Sequence, residues 1–398
     1  MDRRDFLKAL PALTVVPIAA SARSAFAGTK IKITDLRLVS LRIERQLGSL
    51  VDFNGNTRNY QLGGGNFVEV HTDQGLVGIG PGLNEADRER FKNIILGQDP
   101  FNIEYLASRL IYSGSTGVRG AASVEIALWD LIGKAANQPL YKLWGGVQDK
   151  VIPYASQLRL STVEERVAQA QRLKAEGWKA IKLRNRFPTV KEDIRLVAEI
   201  RKAVGDEFII AADANQANPA STNFLQSGTK WDFERAVKCA RAYQEMNVFW
   251  LEEPLPRYDF DHIAELNKLV EIKIAGGEAN HGLHEFRELL DRGAYDIIQP
   301  EIMTEGPTMM RKAAVLAESM GKLCIPHVGN QLGNICSMHL VAAWPNAPIF
   351  EIFNDPPSSE MKFSNAIYEN PPVFKDGYLM MPEGPGLGVT IRKDLIAT

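Results

Sequence analysis

From Val151 onward, apolar and polar positions alternate in a regular way. Eight short apolar runs, "IPYASQLR", "AIKLR", "FIIAADAN", "VFWLEEP", "IKIAGGE", "YDIIQPE", "LCIPHV" and "PIFEIF", are separated by stretches with helical spacing. In the first such stretch, "STVEERVAQAQRLKAEG", Val163, Val167 and Ala170 share a face, Thr162 and Glu165 form a capping box, and Gly177 ends the helix. A series of eight strand–helix units predicts an α/β fold of the (β/α)8 barrel type in preference to an open doubly wound sheet. No glycine-rich dinucleotide fingerprint follows any of the runs, which counts against a Rossmann fold.

Upstream the pattern is mixed. "KITDLRLVSLRI" and "NFVEVHTDQGLVGIG" predict antiparallel strands, the second string holding a pair joined by the turn "HTDQG". The polar, glycine-rich stretch between them, Gln46 to Gly65, is expected to be a mobile loop. Val124, Ala127, Leu128 and Leu131 recur at helix spacing, and "LWGG" (Leu143 to Gly146) marks a boundary. The expected organisation is an N-terminal α+β unit over residues 28–148, a barrel over 149–364, and a segment 365–398 returning to the N-terminal unit through the hairpin signal "VFKDGYLMM". Residues 1–27 stand apart: "RRDFLK", the apolar run "ALPALTVVPIAA" and the small-residue pattern "SAFAG" ending at Ala27 read as a twin-arginine export signal. The run is too short and too proline-broken to span a bilayer. The mature protein is therefore expected to be periplasmic, without a membrane anchor, and exported already folded around any metal.

Composition adds exclusions. With 45% hydrophobic and 24% charged residues in 398, the chain is an ordinary globular protein, and a net charge of −2 gives no reason to expect nucleic acid or an anionic membrane as partner. Cys239, Cys324 and Cys336 make neither a disulfide framework nor a metal spacing.

The chemistry lies at the strand ends. Every run from the second onward stops at ionisable residues: Lys182 with Arg184, Asp213, Glu252, Glu278, Glu301, His327 and Glu351. In a barrel these positions ring the C-terminal mouth, where active sites of this fold sit. Lys182 and Arg184, two apart on a strand, point to one side and need an anionic addressee. Asp213, Glu252 and Glu278 on neighbouring strands cannot converge unpaired without strong repulsion. A divalent cation resolves it, and an all-oxygen set suits Mg²⁺, with Mn²⁺ possible. The bland alternative is that each acid pairs with a lysine or arginine in a structural network.

"DANQ", "WLEEPLP", "GGEA", "PHVGNQLG" and "VEIALWDLIGK…PLYKLWGG" resemble, in order and spacing, the mandelate racemase and muconate-lactonising branch of the enolase superfamily. The resemblance implies a capping α+β domain over a modified (β/α)7β barrel, Mg²⁺ on Asp213, Glu252 and Glu278, and homo-oligomeric assembly. It also implies removal of the proton α to a small-molecule carboxylate through an ene-diolate. His327 corresponds to the histidine base or acid, and Glu351 to a carboxyl group that donates to the ene-diolate if its pKa is raised. Two positions depart from the pattern. Arg184 stands where relatives keep a lysine base, and a guanidinium with a pKa above about 12 is a clamp, not a base. Glu301 stands where His327 usually has an aspartate partner. Racemisation wants two bases, so the loss of one favours dehydration of a sugar acid to a 2-keto-3-deoxy acid. His327 could act alone, or Lys182 and His327 could divide the work. Asn215 and the loop residues Asn54, Asn56, Arg58, Asn59 and Tyr60 are candidates to meet such a substrate. The alternatives are a racemase, epimerase or cycloisomerase of an α-substituted carboxylate, a Schiff-base aldolase built on Lys182, and a non-catalytic periplasmic sugar-acid-binding protein.

Overall fold

The structure is a computed structural model and describes residues 30–113, 118–146, 148–217 and 229–397. The expected export signal, residues 1–27, lies outside the described residues. Five strands come first: β1 (Ile33–Ser40), β2 (Ile43–Val51), β3 (Thr57–Gly63), β4 (Asn66–Thr72) and β5 (Val77–Pro81). β1, β4 and β5 form an antiparallel sheet in that order, as the alternating pattern predicts. The stretch expected to be a mobile loop is instead a two-stranded ribbon of β2 and β3, which pair from Ile43↔Gly63 to Val51↔Thr57. Its mostly exposed residues hid the strand signal: of its apolar side chains only Leu50 and Leu62 are buried, too few to set an alternation. Helices α1 (Glu85–Ile95), α2 (Ile103–Ile111), α3 (Val118–Ala135) and α4 (Leu140–Leu143) follow. Val124, Ala127, Leu128 and Leu131 of α3 are all buried. Gly80 of β5 lets α3 approach, since a Cβ there would lie 2.2 Å from the Ser123 carbonyl oxygen.

A short strand β6 (Lys150–Val151) leads into eight parallel strands: β7 (Pro153–Ser156), β8 (Ala180–Arg184), β9 (Ile209–Asp213), β10 (Trp250–Glu252), β11 (Lys273–Gly276), β12 (Ile297–Ile298), β13 (Leu323–Cys324) and β14 (Phe350–Phe353). They lie in chain order, with β14 beside β7, in one curled sheet. Two hydrogen bonds cross the seam between β13 and β14, from Cys324 N–H to the Asn346 carbonyl and from Val328 N–H to the Glu351 carboxylate, each 3.0 Å. Between the strands run α5 (Val163–Ala175), α6 (Val190–Val204), α7 (Phe233–Glu245), α8 (Phe260–Leu269), α9 (Gly282–Asp291), α10 (Ile302–Ser319) and α11 (Gln331–Ala343). This is a (β/α)7β barrel beside a strand-rich N-terminal portion. The capping box of Thr162 and Glu165 opens α5 as read from sequence. After the short α12 (Met361–Asn365), the hairpin of β15 (Phe374–Lys375) and β16 (Tyr378–Met380) pairs with β6, Leu379 opposite Val151. The residues beyond it reach the N-terminal elements: Leu41 bridges Ile396, and Leu387 N–H donates to Asp130 of α3 at 2.7 Å.

The barrel interior is layered. Tyr154, Ala180, Ala211, Trp250, Ala275, Ile297, Ile325 and Ile349, one from each strand or its flank, make a closed apolar cluster. Side chains alternate along a strand, so the residue two further on from each faces inward again. Those residues are Ser156, Lys182, Asp213, Glu252, Gly277, Gln299, His327 and Glu351. The chemistry therefore sits one layer above the core because the period of a strand puts it there.

Candidate active site

This polar layer is nearly sealed. Lys182, Asp213 and Glu351 have no exposure, and Glu252 has 1%. Lys182 Nζ lies 2.7 Å from Glu252 Oε1, 2.8 Å from Glu351 Oε1 and 3.6 Å from Asp213 Oδ2. The far oxygen of Glu252 accepts from Trp250 Nε1 at 3.0 Å and from Gln299 Nε2 at 2.9 Å. Burial works against the charge of Lys182, but Glu252 and Glu351 outweigh it and hold the ammonium above its ordinary pKa. Burial likewise opposes ionisation of Glu351, yet Lys182 and His327 bring its carboxyl down to about 2. The raised pKa needed for Glu351 to donate a hydrogen bond is thus not met in this arrangement. The Lys182 ammonium lies beside it, and Val328 N–H already donates to it.

The next inward position beyond seven of the eight strands lines a cavity of about 870 Å³: Leu158, Arg184, Asn215, Ala279, Glu301, Gly329 and Phe353. That volume suits a small ligand. Arg184 spans the two layers: its guanidinium pairs with Asp213, Nε donates to the Gln157 carbonyl at 2.7 Å, and NH1 reaches Asn215 Oδ1 at 3.1 Å. Asn215 is held in turn by Asp213, whose carboxylate accepts its N–H at 2.8 Å and its Nδ2 at 3.0 Å. Asp355, ion-paired with Arg166, accepts from Leu158 N–H at 2.9 Å and fixes the turn after β7 that carries the Gln157 carbonyl.

His327 lines the cavity, with Nε2 3.1 Å from Glu278 Oε2. Its Nδ1 is buried without a hydrogen-bond partner among the described residues. The expected Glu301–His327 contact is not made through that nitrogen. Glu301 and His327 are bridged along the backbone, but Glu301 Oε1 accepts from Met303 N–H at 3.1 Å and caps α10. The carboxylate is taken up by a free backbone N–H at the start of its own helix instead.

The three acids expected to hold a metal are only partly brought together. Asp213 and Glu252 are register partners on neighbouring strands, whereas Glu278 lies just past β11 and turns to His327. Among the described residues no group of three or more His, Cys, Asp or Glu side chains is close enough to hold a metal ion. Lys182 and Arg184 supply the positive charge between the acids instead. Even so, burial and Glu252 push Asp213 up to about 8 against the pull of both cations. Glu253, which sequence reading passed over, adds a further acid, buried at a left-handed φ of 45° with Oε1 unpartnered among the described residues. Burial and then Glu278 drive its pKa well above the ordinary range. Buried carboxyl groups held back from ionising, all of them oxygen donors, fit a hard divalent cation by their donor chemistry.

The ribbon of β2 and β3 reaches over the mouth. Phe53 at its tip stacks under Arg184, 4.6 Å from guanidinium to ring centroid, and Phe53 N–H donates to the Leu158 carbonyl at 2.9 Å. Phe53 and Arg58 line the cavity; Asn54 and Tyr60 do not. Asn54 Oδ1 accepts from Arg186 at 2.6 Å, and Tyr60 is half-buried. Phe53 went unnoticed because a lone aromatic in a polar stretch has no periodicity to report. Gln299 was legible, two residues beyond Ile297 in the inward phase, but carries no charge to draw notice.

Known proteins give this geometry a setting. The family described as "Enolase C-terminal domain-like" matches residues 165–395, and "Mandelate racemase / muconate lactonizing enzyme, N-terminal domain" matches 64–145. L-talarate/galactarate dehydratase of Salmonella typhimurium is 28% identical over 96% of this chain and 94% of its own. Arabinonate dehydratase of Saccharolobus solfataricus is 31% identical over 82% of this chain and 87% of its own. Among solved structures, L-talarate dehydratase from Polaromonas sp. JS666, complexed with Mg and L-glucarate, superposes with a TM-score of 0.75 at 26% identity, covering 92% of this chain and 96% of that one. Ordered strand-end chemistry, barrel and sequence agree: the chain belongs to the mandelate racemase and muconate lactonizing enzyme branch of the enolase superfamily.

Proposed function

We propose that this protein is a magnesium-dependent dehydratase of sugar acids. It removes the proton α to the carboxylate of a polyhydroxy acid and expels the β-hydroxyl as water, leaving a 2-keto-3-deoxy acid. One observation carries this reading. Of the strand-end groups that could take a proton on either face of a substrate, Lys182 is buried as an ammonium between two carboxylates and Arg184 is a guanidinium, which leaves His327. One base suits elimination on one face better than two-base racemisation. The similarity to dehydratases of diacid and monoacid sugars supports it.

Asp213, Glu252 and Glu278 are the residues that would hold Mg²⁺, which when bound neutralises the substrate carboxylate and stabilises the second negative charge as the α-proton leaves. His327 accepts that proton, and the imidazolium returns it to the departing hydroxyl. Arg184, fixed by Asp213, the Gln157 carbonyl and the Phe53 ring, clamps the carboxylate oxygens, and the Lys182 ammonium beneath adds fixed positive charge where the charge develops. The same burial denies Lys182 the free amine that a Schiff-base aldolase needs. A curled eight-stranded barrel is likewise not the pair of open-sheet lobes of a solute-binding protein. We further propose that the enzyme works in the periplasm after twin-arginine export.

The test is a screen of mature protein with Mg²⁺ against a library of acid sugars for 2-keto-acid formation, with an EDTA control. Metal-dependent keto-acid release is expected. Exchange of the α-proton for deuterium without loss of water points to an epimerase, and turnover of lactones or N-acyl amino acids alone overturns the dehydratase reading.

A further inference from the structure

A second histidine–glutamate pair lies on the same cavity. His281, the residue before α9, lines it and keeps 49% of its side chain exposed. Its Nδ1 lies 3.2 Å from Glu305 Oε1, and Glu305, whose side chain is 4% exposed, also accepts the Gly282 N–H at 2.9 Å through its other oxygen. Two ties on a buried carboxylate fix both the ring and the loop that bears it. With Nδ1 engaged, Nε2 is the nitrogen left for a ligand.

Depth separates this pair from the reacting end. Lys182 is sealed, Glu278 keeps 25% of its side chain exposed, and His281, three residues further along the same loop, keeps 49%. His281 therefore stands towards the outer part of the cavity. The charged groups around it are Glu305 from α10, Glu285 from α9, which accepts the His281 N–H at 3.1 Å, and Arg257 from the turn after β10. The hydrogen bond to Glu305 outweighs burial and Arg257 and moves the imidazole above its ordinary pKa. An imidazolium with Nε2–H towards the cavity is a donor suited to an anionic oxygen.

We propose that His281, oriented by Glu305, binds the second carboxylate of a sugar diacid at the end remote from the reacting carbon, so that the enzyme prefers aldarates to aldonates. The proposal rests on the dehydratase reading and names its substrate class. Glu305 is a positioning residue in this scheme.

The experiment compares kcat/KM for L-glucarate and for the corresponding aldonate in the wild type, His281→Gln and Glu305→Gln, each across pH 5.5 to 8.5. The expected result is an aldarate preference that falls about tenfold or more in His281→Gln, carried by KM. In the wild type, KM for the aldarate rises as pH climbs through the imidazole's titration. In Glu305→Gln that rise moves to lower pH, and the His281 ring signal in an NMR titration moves with it. Equal losses on both substrates in His281→Gln, or a KM rise unmoved by Glu305→Gln, overturn the proposal. Wild-type turnover of aldonates with no gain from a second carboxylate also overturns it, while leaving the dehydratase reading intact.

Discussion

Lys182 Nζ stands 2.8 Å from Glu351 Oε1 on the far side of the barrel from Glu252, whose Oε1 it meets at 2.7 Å, and none of the three is in contact with solvent beyond 1%. One ammonium balances two carboxylates in a sealed layer. Removing one partner of a buried ion pair typically costs about 3–5 kcal/mol, because the other charges stay behind uncompensated. Lys182→Met is expected to lower stability by that order and to abolish turnover. If Lys182 stands where a divalent ion shares the same acids, Mg²⁺ will raise the melting temperature of Lys182→Met by more than it raises that of the wild type. Thermal melts with and without Mg²⁺ decide it. Equal shifts would detach Lys182 from the metal.

Arg184 is the substitution on which the reaction type turns. Arg184→Lys keeps a positive charge but loses the fork that reaches Asp213, Asn215 and the Gln157 carbonyl together. Dehydration is expected to slow about a hundredfold, the scale of one lost electrostatic donor. The new amine can lose its proton where guanidinium cannot, so substrate recovered from D₂O should contain the α-epimer. Chiral chromatography of the recovered acid measures this. Recovery of a single stereoisomer would show that the lysine is not placed to act as a base.

How much of this was written in the chain is a matter of which signals survive in one dimension. The barrel was legible because its strands are buried on both sides and read as apolar runs, and Lys182, Asp213, Glu252, His327 and Glu351 were legible because each follows an inward apolar residue by two. Partner choice was not. Glu301 at the backbone level of His327 suggested a dyad, but its side chain caps α10, while Glu305 four residues on pairs with His281. Helix phase brings Glu305 to that loop, and no strand-end rule reads it. The ribbon of β2 and β3 was missed for the opposite reason: most of its residues are exposed, and the buried Leu50 and Leu62 are too few to set a period.

Export can be tested separately from chemistry. Replacing Arg3 and Arg4 together by lysine keeps the charge of the proposed leader but removes the guanidinium pair on which that proposal rests. The expected outcome is precursor retained in the cytoplasm, still folded and active once Mg²⁺ is supplied. Fractionation with activity assays on each compartment checks it. Delivery of the doubly substituted chain to the periplasm would remove the twin-arginine assignment.

Glu125 offers a pH dependence with a definite sign. It lies on α3 at 1% exposure, where its Oε1 accepts from Thr308 N–H at 2.6 Å just past the break in α10 at Gly306, whose φ is 70°. A Cβ on Gly306 would come 2.2 Å from Glu125 Oε2, so the carboxyl is packed against the break itself. Burial raises its pKa to about 7, the hydrogen bonds from Thr308 opposing. Between the ordinary value of 4.5 and the folded value, the native state binds the extra proton. Stability contributed by this group is therefore full below that window and is lost as pH rises through about 7, with a ceiling of about 3 kcal/mol. Glu125→Gln keeps the acceptor for Thr308 and removes the titration. Denaturant unfolding should find the variant close to wild type at pH 5 and more stable by about 1–3 kcal/mol at pH 8. A difference that does not change with pH would mean that Glu125 stays ionised in the folded protein, and that the contact between α3 and α10 holds a buried charge.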